Sequence, residues 1–217
     1  MLKESEVYIM ANIVFYGDSI TDCGRNREDS HLFTSGYPAL VAGRLGLEYP
    51  EKNVYSNRGI SGNRIVDLYA QINGVHNDKP DVLSILIGVN DVWHKFSSKN
   101  GVDTPKFEMV YSMILDELYE KHPSIKIMLL EPFVVKASGT ETMYDDFRAD
   151  VESKAAVVKK LAEKYNIPFI PLQEDFDRLY NPENPGYWLR DGVHPTPAGH
   201  TLIADKWIET YKKYFLD

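Results

Sequence analysis

The fold is decided by residues 13–24, which read IVFYGDSITDCG. Four apolar residues in succession, with no polar alternation, describe a strand buried on both faces as in a parallel sheet, and a glycine, an acid and a serine then end it. Similar runs rich in β-branched residues recur, so strands are predicted at 12–17, 54–59, 82–88, 126–132 and 167–172. Between them the pattern is helical at 36–45, 63–72, 105–121 and 142–165, with a last helix at 197–214. Strict alternation of strand and helix implies parallel βαβ units and a three-layer α/β/α sandwich. Stripes such as Val110, Met113, Ile114 and Leu118 are helix-to-sheet packing and carry no functional message.

The polar exceptions fall where strands should end. Strand one runs into Gly17-Asp18-Ser19, strand two into residues 57–63 (NRGISGN), strand three into Gly88-Val89-Asn90-Asp91, and after strand five a long connection holds Asp191-Gly192-Val193-His194-Pro195. In a parallel sheet these ends share one edge, so four sequence-distant segments converge on one crevice. Ser19 alone could simply cap the next helix. As a nucleophile it needs a base, an orienting acid and oxyanion donors. Proline disfavours helical geometry at the residue before it, so His194 should sit in an extended or turn segment, followed by Thr196 as cap and Pro197 as first position of the last helix. Asp191, just upstream, can hold one ring nitrogen and leave the other free to take a proton from Ser19. The oxyanion candidates are the N–H groups of Ser19 and Gly62 and the amide of Asn90. Gly62 would let backbone approach a substrate with no Cβ between, or is a plain turn residue; Asn90 is equally a cap or turn residue.

Composition bounds the partners. A chain of 217 residues with 43% hydrophobic content suits one domain over 1–217, with 1–11 as an N-terminal extension and Met10 as an alternative start. The net charge of −8 argues against nucleic acid or an anionic membrane surface as partner. A small-molecule or oligosaccharide ester fits better, and homo-oligomerisation is left open. Cys23 is the only cysteine, which excludes an intrachain disulfide and a zinc–thiolate cluster. Nothing in residues 1–11 has the long apolar run of a signal peptide and no segment approaches membrane-spanning length, so a cytoplasmic location is expected.

These blocks resemble a known family. Residues 17–20 (GDSI), Gly62 in 60–63 (ISGN), 88–91 (GVND) and 191–195 (DGVHP) are similar, in order, to the four marker blocks of the SGNH hydrolases, or GDSL esterases. The departure is Ile20 for the usual leucine, a volume-conserving change. The resemblance implies a flavodoxin-like five-stranded parallel sheet in order 2-1-3-4-5, no metal and no other cofactor. It also implies Ser19 as nucleophile, His194 as base, Asp191 as orienting acid, and an oxyanion hole of Ser19, Gly62 and Asn90. Residues 15–25, 59–63 and 87–93 look especially like bacterial acetylxylan esterases of the intracellular type, which implies removal of O-acetyl groups from xylo-oligosaccharide-like sugars. The alternative is a lipase- or thioesterase-type acylhydrolase on lipid or acyl-CoA.

Asp18, Asp22, Asp91 and Asp191 would also crowd this edge, and with His194 or His200 they raise a rival, a metal-dependent phosphohydrolase, although no D-x-D or P-loop pattern follows strand one. Asp18 reads as a turn residue or substrate contact, and Trp93, Tyr187 and Trp188 as walls or stacking faces for a sugar, or as packing. His31, His76, His94 and His122 are expected in solvent, and Cys23 as an apolar filler. The loops 95–103, 136–141 and 181–190 are expected to rim the site with polar groups, with no apolar trough for a long acyl chain.

Overall fold

A computed structural model describes residues 11–216. The proposed start at Met10 and all of the 1–11 extension except Ala11 lie outside them. Ala11 itself belongs to the first strand.

Five strands, β1 (Ala11–Gly17), β2 (Asn53–Asn57), β3 (Val82–Leu86), β4 (Lys126–Leu130) and β5 (Phe169–Ile170), form one parallel sheet in the order β2-β1-β3-β4-β5. The expected order and architecture are those observed. β5 is only two residues long, against six expected, because Pro168 and Pro171 bracket it and neither can donate to the ladder.

Alternate residues feed two cores. Ile13 and Phe15 of β1, with Met128 and Leu130 of β4, join one cluster, whereas Val14, Tyr16, Ile127 and Leu129 join the other. A strand apolar at every position therefore serves two faces, as the sequence pattern demands. Helix α2 (Gly36–Glu48) and α9 (Pro197–Tyr211) cover the first face through residues such as Tyr37, Val41 and Trp207. On the second lie α3 (Ile65–Ala70), α4 (Ile72–Asp78) and α6 (Thr104–Lys121). The 22-residue α7 (Tyr144–Tyr165) contributes Phe147 and Val151 to one cluster and Val158 and Leu161 to the other.

The helix expected to follow Ser19 is present as a single turn, α1 (Ser19–Asp22), whereas α4, α5 (Val89–Ser98) and α8 (Gln173–Leu179) were not foreseen. In α5 the apolar residues Val89, Val92, Trp93 and Phe96 follow helical spacing, a signal hidden by the polar residues among them. The helix expected at 63–72 begins at Ile65 and gives way to α4 at Gln71. The last α-helix stops at Tyr211, followed by a π-helical turn, Lys212–Leu216. Among the described residues no helix is long and apolar enough to cross a membrane.

Candidate active site

Ser19 opens α1 immediately after β1, and Asp18 caps that helix by accepting from the Ile20 N–H at 2.9 Å. His194 and Asp191 arrive from the far end of the chain on a tight hairpin. The Leu189–Pro195 bridge, the Arg190 N–H to His194 carbonyl bond (2.9 Å) and the Thr196 N–H to Trp188 carbonyl bond (2.9 Å) close it. Thr196 caps α9 and Pro197 occupies its first turn, as the sequence predicts. The hairpin is tied to residues 135–140 by the Val135 N–H on the Gly192 carbonyl and the Gly139 N–H on that of Asp191.

Within this frame Ser19 Oγ lies 2.9 Å from His194 Nε2, and His194 Nδ1 lies 2.7 Å from Asp191 Oδ2. The other Asp191 oxygen accepts the N–H groups of Val193 (3.2 Å) and His194 (2.9 Å), an Asx-type turn that orients the carboxylate. An ionised carboxylate only accepts, so Nδ1 carries the proton and the Nε2 lone pair faces the serine hydroxyl. The Asp191 bond raises the His194 pKa above its ordinary value, partly opposed by burial. Burial works to raise Asp191 too, but the His194 contacts hold it well below the usual carboxylate range.

The loop between β2 and α3 is stitched down at nearly every amide. Gly59 N–H donates to Asn57 Oδ1, Ile60 N–H to the Gly17 carbonyl, Ser61 N–H to Asp22 Oδ2 at 2.7 Å, and Asn63 N–H to the Ile60 carbonyl. Ile65 N–H donates to both oxygens of buried Asp91 at 3.1 Å. Gly62 N–H has no acceptor among the described residues, and neither has Ser19 N–H. Asn90 Nδ2 gives one hydrogen to the Asn63 carbonyl (3.1 Å) and retains a second. Gly62 has a φ of +86°, which favours glycine, and an added Cβ there would meet no protein atom within 4 Å, so the space above its N–H is open. Asn90 lies in the first turn of α5 and is neither its cap nor a turn residue.

The four aspartates do not gather. Asp18 is 1% exposed and binds the α1 amide; Asp22 binds Ser61 N–H and the Arg27 guanidinium (2.5 Å); Asp91 holds the start of α3; Asp191 holds His194. Burial lifts Asp18 to about 7 and Asp91 to about 8. Among the described residues no three His, Cys, Asp or Glu side chains converge to hold a metal ion. At 1% exposure Asp18 acts from beneath Ser19, so the substrate contact expected of it is not available to its side chain.

A cavity of about 600 Å³ opens beside Ser19 and His194, and it lies where the sequence did not point. Its walls come from the N-terminal ends of α2 and α9, including Ala39, Leu40, Pro195 and Pro197, with Cys23 and His200. Of the loops expected to rim the site, only Arg190 lines this cavity. The signal for α2 was present in Ser35-Gly36-Tyr37-Pro38, a helix start following the first block. Cys23 is no simple filler: it ends α1 in left-handed geometry, its thiol donates to the Ile20 carbonyl at 3.1 Å, and burial lifts its pKa to about 12. His200 Nδ1 accepts the Tyr37 N–H at 3.2 Å, and burial depresses its pKa to about 4.

Trp93 is half-buried, edge-on to Phe147 and against the 137–140 loop behind Asp191. Trp188 packs on the core and meets the exposed Tyr187 edge-on at 5.2 Å. None of the three lines the cavity. His76 and His122 are not solvated as expected, since they stack on each other at 5.2 Å.

A sequence profile of the GDSL-like lipase/acylhydrolase family matches residues 15–202. An acetylxylan esterase of Geobacillus stearothermophilus is 36% identical over 200 residues, covering 88% of this chain and 90% of that one. The crystal structure of Axe2, an acetylxylan esterase from Geobacillus stearothermophilus, superposes with a TM-score of 0.81 at 33% identity, covering 94% and 95% of the two chains. A Parabacteroides merdae protein described as GDSL-like lipase superposes with a TM-score of 0.85 at 34% identity, covering 93% and 95%. Structures of the Geobacillus enzyme also include catalytic mutants at a serine, an aspartate and a histidine.

Proposed function

The chain belongs to the GDSL-like lipase/acylhydrolase family and is a carboxylic ester hydrolase, and from that premise we propose that it removes short acyl groups, O-acetyl foremost, from carbohydrate substrates through Ser19, His194 and Asp191. The observation that carries this reading is the continuous chain of contacts from Ser19 Oγ through His194 to Asp191 beside donors with free hydrogens. Ser19 Oγ attacks the ester carbonyl carbon while His194 Nε2 takes its proton, and Asp191 stabilises the imidazolium that forms. The N–H groups of Ser19 and Gly62 and the Asn90 amide receive the oxyanion, each worth roughly 10²- to 10³-fold in rate. His194 then returns the proton to the departing alcohol, and water attacks the acyl-enzyme by the same route.

The acetyl-sugar substrate is supported by the relationship to the Geobacillus enzyme, whose name states its activity. Under this reading the cavity takes the alcohol part of the ester, and 600 Å³ falls in the range of small-molecule sites. A lipase would instead need that space for acyl chain, at about 0.8 kcal/mol per buried methylene. Acetate release from acetylated xylo-oligosaccharides, run beside p-nitrophenyl esters from acetate to octanoate, separates the two. The expected result is sugar deacetylation, with the p-nitrophenyl series falling steeply beyond butyrate. A preference for octanoate would overturn the acetyl reading and leave the esterase mechanism in place.

A further inference from the structure

The wall of the cavity beside Ser19 includes an exposed arginine that no group in the described residues pairs with. Of the eight arginines in the sequence, six pair with carboxylates, and Arg25 donates to the carbonyls of Gly59 and Asn26. The Arg190 guanidinium alone has no acceptor among the described residues, and Arg190 alone of the eight lines the cavity with Ser19 and His194. Its backbone is fixed, because its N–H donates to the His194 carbonyl within the hairpin. The adjacent carboxylate, Asp191, is committed to His194 and two backbone amides.

The other polar side chains of the wall, apart from Ser19 and His194, already have partners. Thr34 and Ser35 donate to the Cys23 carbonyl, Thr201 to that of Pro197, and His200 accepts from Tyr37. A ligand therefore meets methyl and ring carbons of Ala39, Leu40, Pro195 and Pro197 and hydroxyls whose protons are already donated, together with one free positive charge. The N–H of Gly36 at the start of α2, also in the wall, has no acceptor among the described residues and adds partial positive charge. Sugar rings present C–H faces to such a surface, and a guanidinium is suited to a carboxylate through two parallel hydrogen bonds. On a chain of net charge −8, a local cation is what admits an anionic ligand at all.

We propose that Arg190 is a specificity determinant that selects acetylated sugars carrying a carboxylate close to the ester, such as uronic-acid-bearing oligosaccharides. This rests on the acetyl-sugar reading above, and the test separates the two. Glucuronic acid, glucose 1-phosphate and glucose are run as competitors of p-nitrophenyl acetate hydrolysis by the parent, Arg190→Gln and Arg190→Lys. Ratios of inhibition constants within one enzyme cancel any change in its basal rate. Glucuronate should inhibit the parent about tenfold more strongly than glucose at low salt, an advantage that added salt erodes, that Arg190→Gln brings close to one and that Arg190→Lys partly restores. An equal ratio in the parent and Arg190→Gln would overturn the proposal. An advantage confined to glucose 1-phosphate would overturn the carboxylate assignment. If the parent deacetylates neutral xylo-oligosaccharides but the ratio ignores Arg190, only this inference fails; if it deacetylates no sugar while glucuronate still competes through Arg190, the acetyl-sugar reading fails and the anion site stands.

Discussion

Among the described residues two histidines lie against carboxylates, and only one of them faces the cavity beside Ser19. His194 Nδ1 is 2.7 Å from Asp191, and His76 Nε2 is 3.1 Å from Glu117. Their second nitrogens face different groups. His194 presents Nε2 to a serine hydroxyl at the wall of a cavity, whereas His76 presents Nδ1 to another imidazole, His122 Nε2, at 3.0 Å. The acids differ as well. Asp191 is oriented by two backbone amides, while Glu117 is shared with Lys121 at 2.5 Å. A histidine–carboxylate contact is thus a common packing solution. A serine and unsatisfied donors beside it are what distinguish the first pair.

The sharpest way to break this contrast is to remove the serine. Ser19→Ala should fold as the parent and lose activity by about 10⁶-fold, whereas His76→Ala should retain the parent's rate on p-nitrophenyl acetate. Activity of the alanine variant near the parent's would remove the proposed nucleophile and, with it, the difference between the two histidines.

The next largest effect concerns the orienting acid and pH. His194 must be neutral to accept the serine proton, and its pKa is raised, so the rising limb of kcat/KM should lie above the ordinary histidine value of about 6.5. Asp191→Asn should lower the rate by about 10⁴-fold by admitting the wrong tautomer, and shift the limb to lower pH. A parent profile flat from pH 5 to 8 would take His194 out of the proposed mechanism.

Asn90→Ala removes one proposed oxyanion donor and one bond to the Asn63 carbonyl, so a loss of about 10²- to 10³-fold in kcat with little change in KM is expected. Equal falls in kcat and melting temperature at every pH would instead mark Asn90 as loop support.

The smallest effect lies at the second histidine pair. Burial, with His76 and Lys121 nearby, lowers the His122 pKa in the folded state. The fold therefore favours neutral His122, and its contribution to stability is complete above the unfolded value of about 6.5 and lost as pH falls from there through the folded value. His122→Gln should make the melting temperature less sensitive to pH between 7 and 5, by a small amount because the ring is only partly buried and solvent screens its charge. Identical slopes in parent and variant would mean that the stacked pair does not titrate with folding.

The sequence by itself determined the sheet, because strands buried on both faces must be apolar at every position and their connections must cross over. It also placed Ser19 and Asn90 just past strand ends, Gly62 in the loop after β2 and the Asp191–His194 pair in the long connection after β5, since these residues follow the ends of apolar runs. Short elements escaped it: α4 and α8 are too brief to show a period, and β5 was shortened by prolines that pattern alone did not weigh. What only the tertiary structure decided was where the space lies. α2 and α9 are separated by 148 residues of chain (49–196), yet their ends wall the cavity beside Ser19, while the polar loops expected there contribute only Arg190. Hydrophobic periodicity records which face of a helix is buried, and it says nothing of which two helix ends meet or whether an arginine will find a partner.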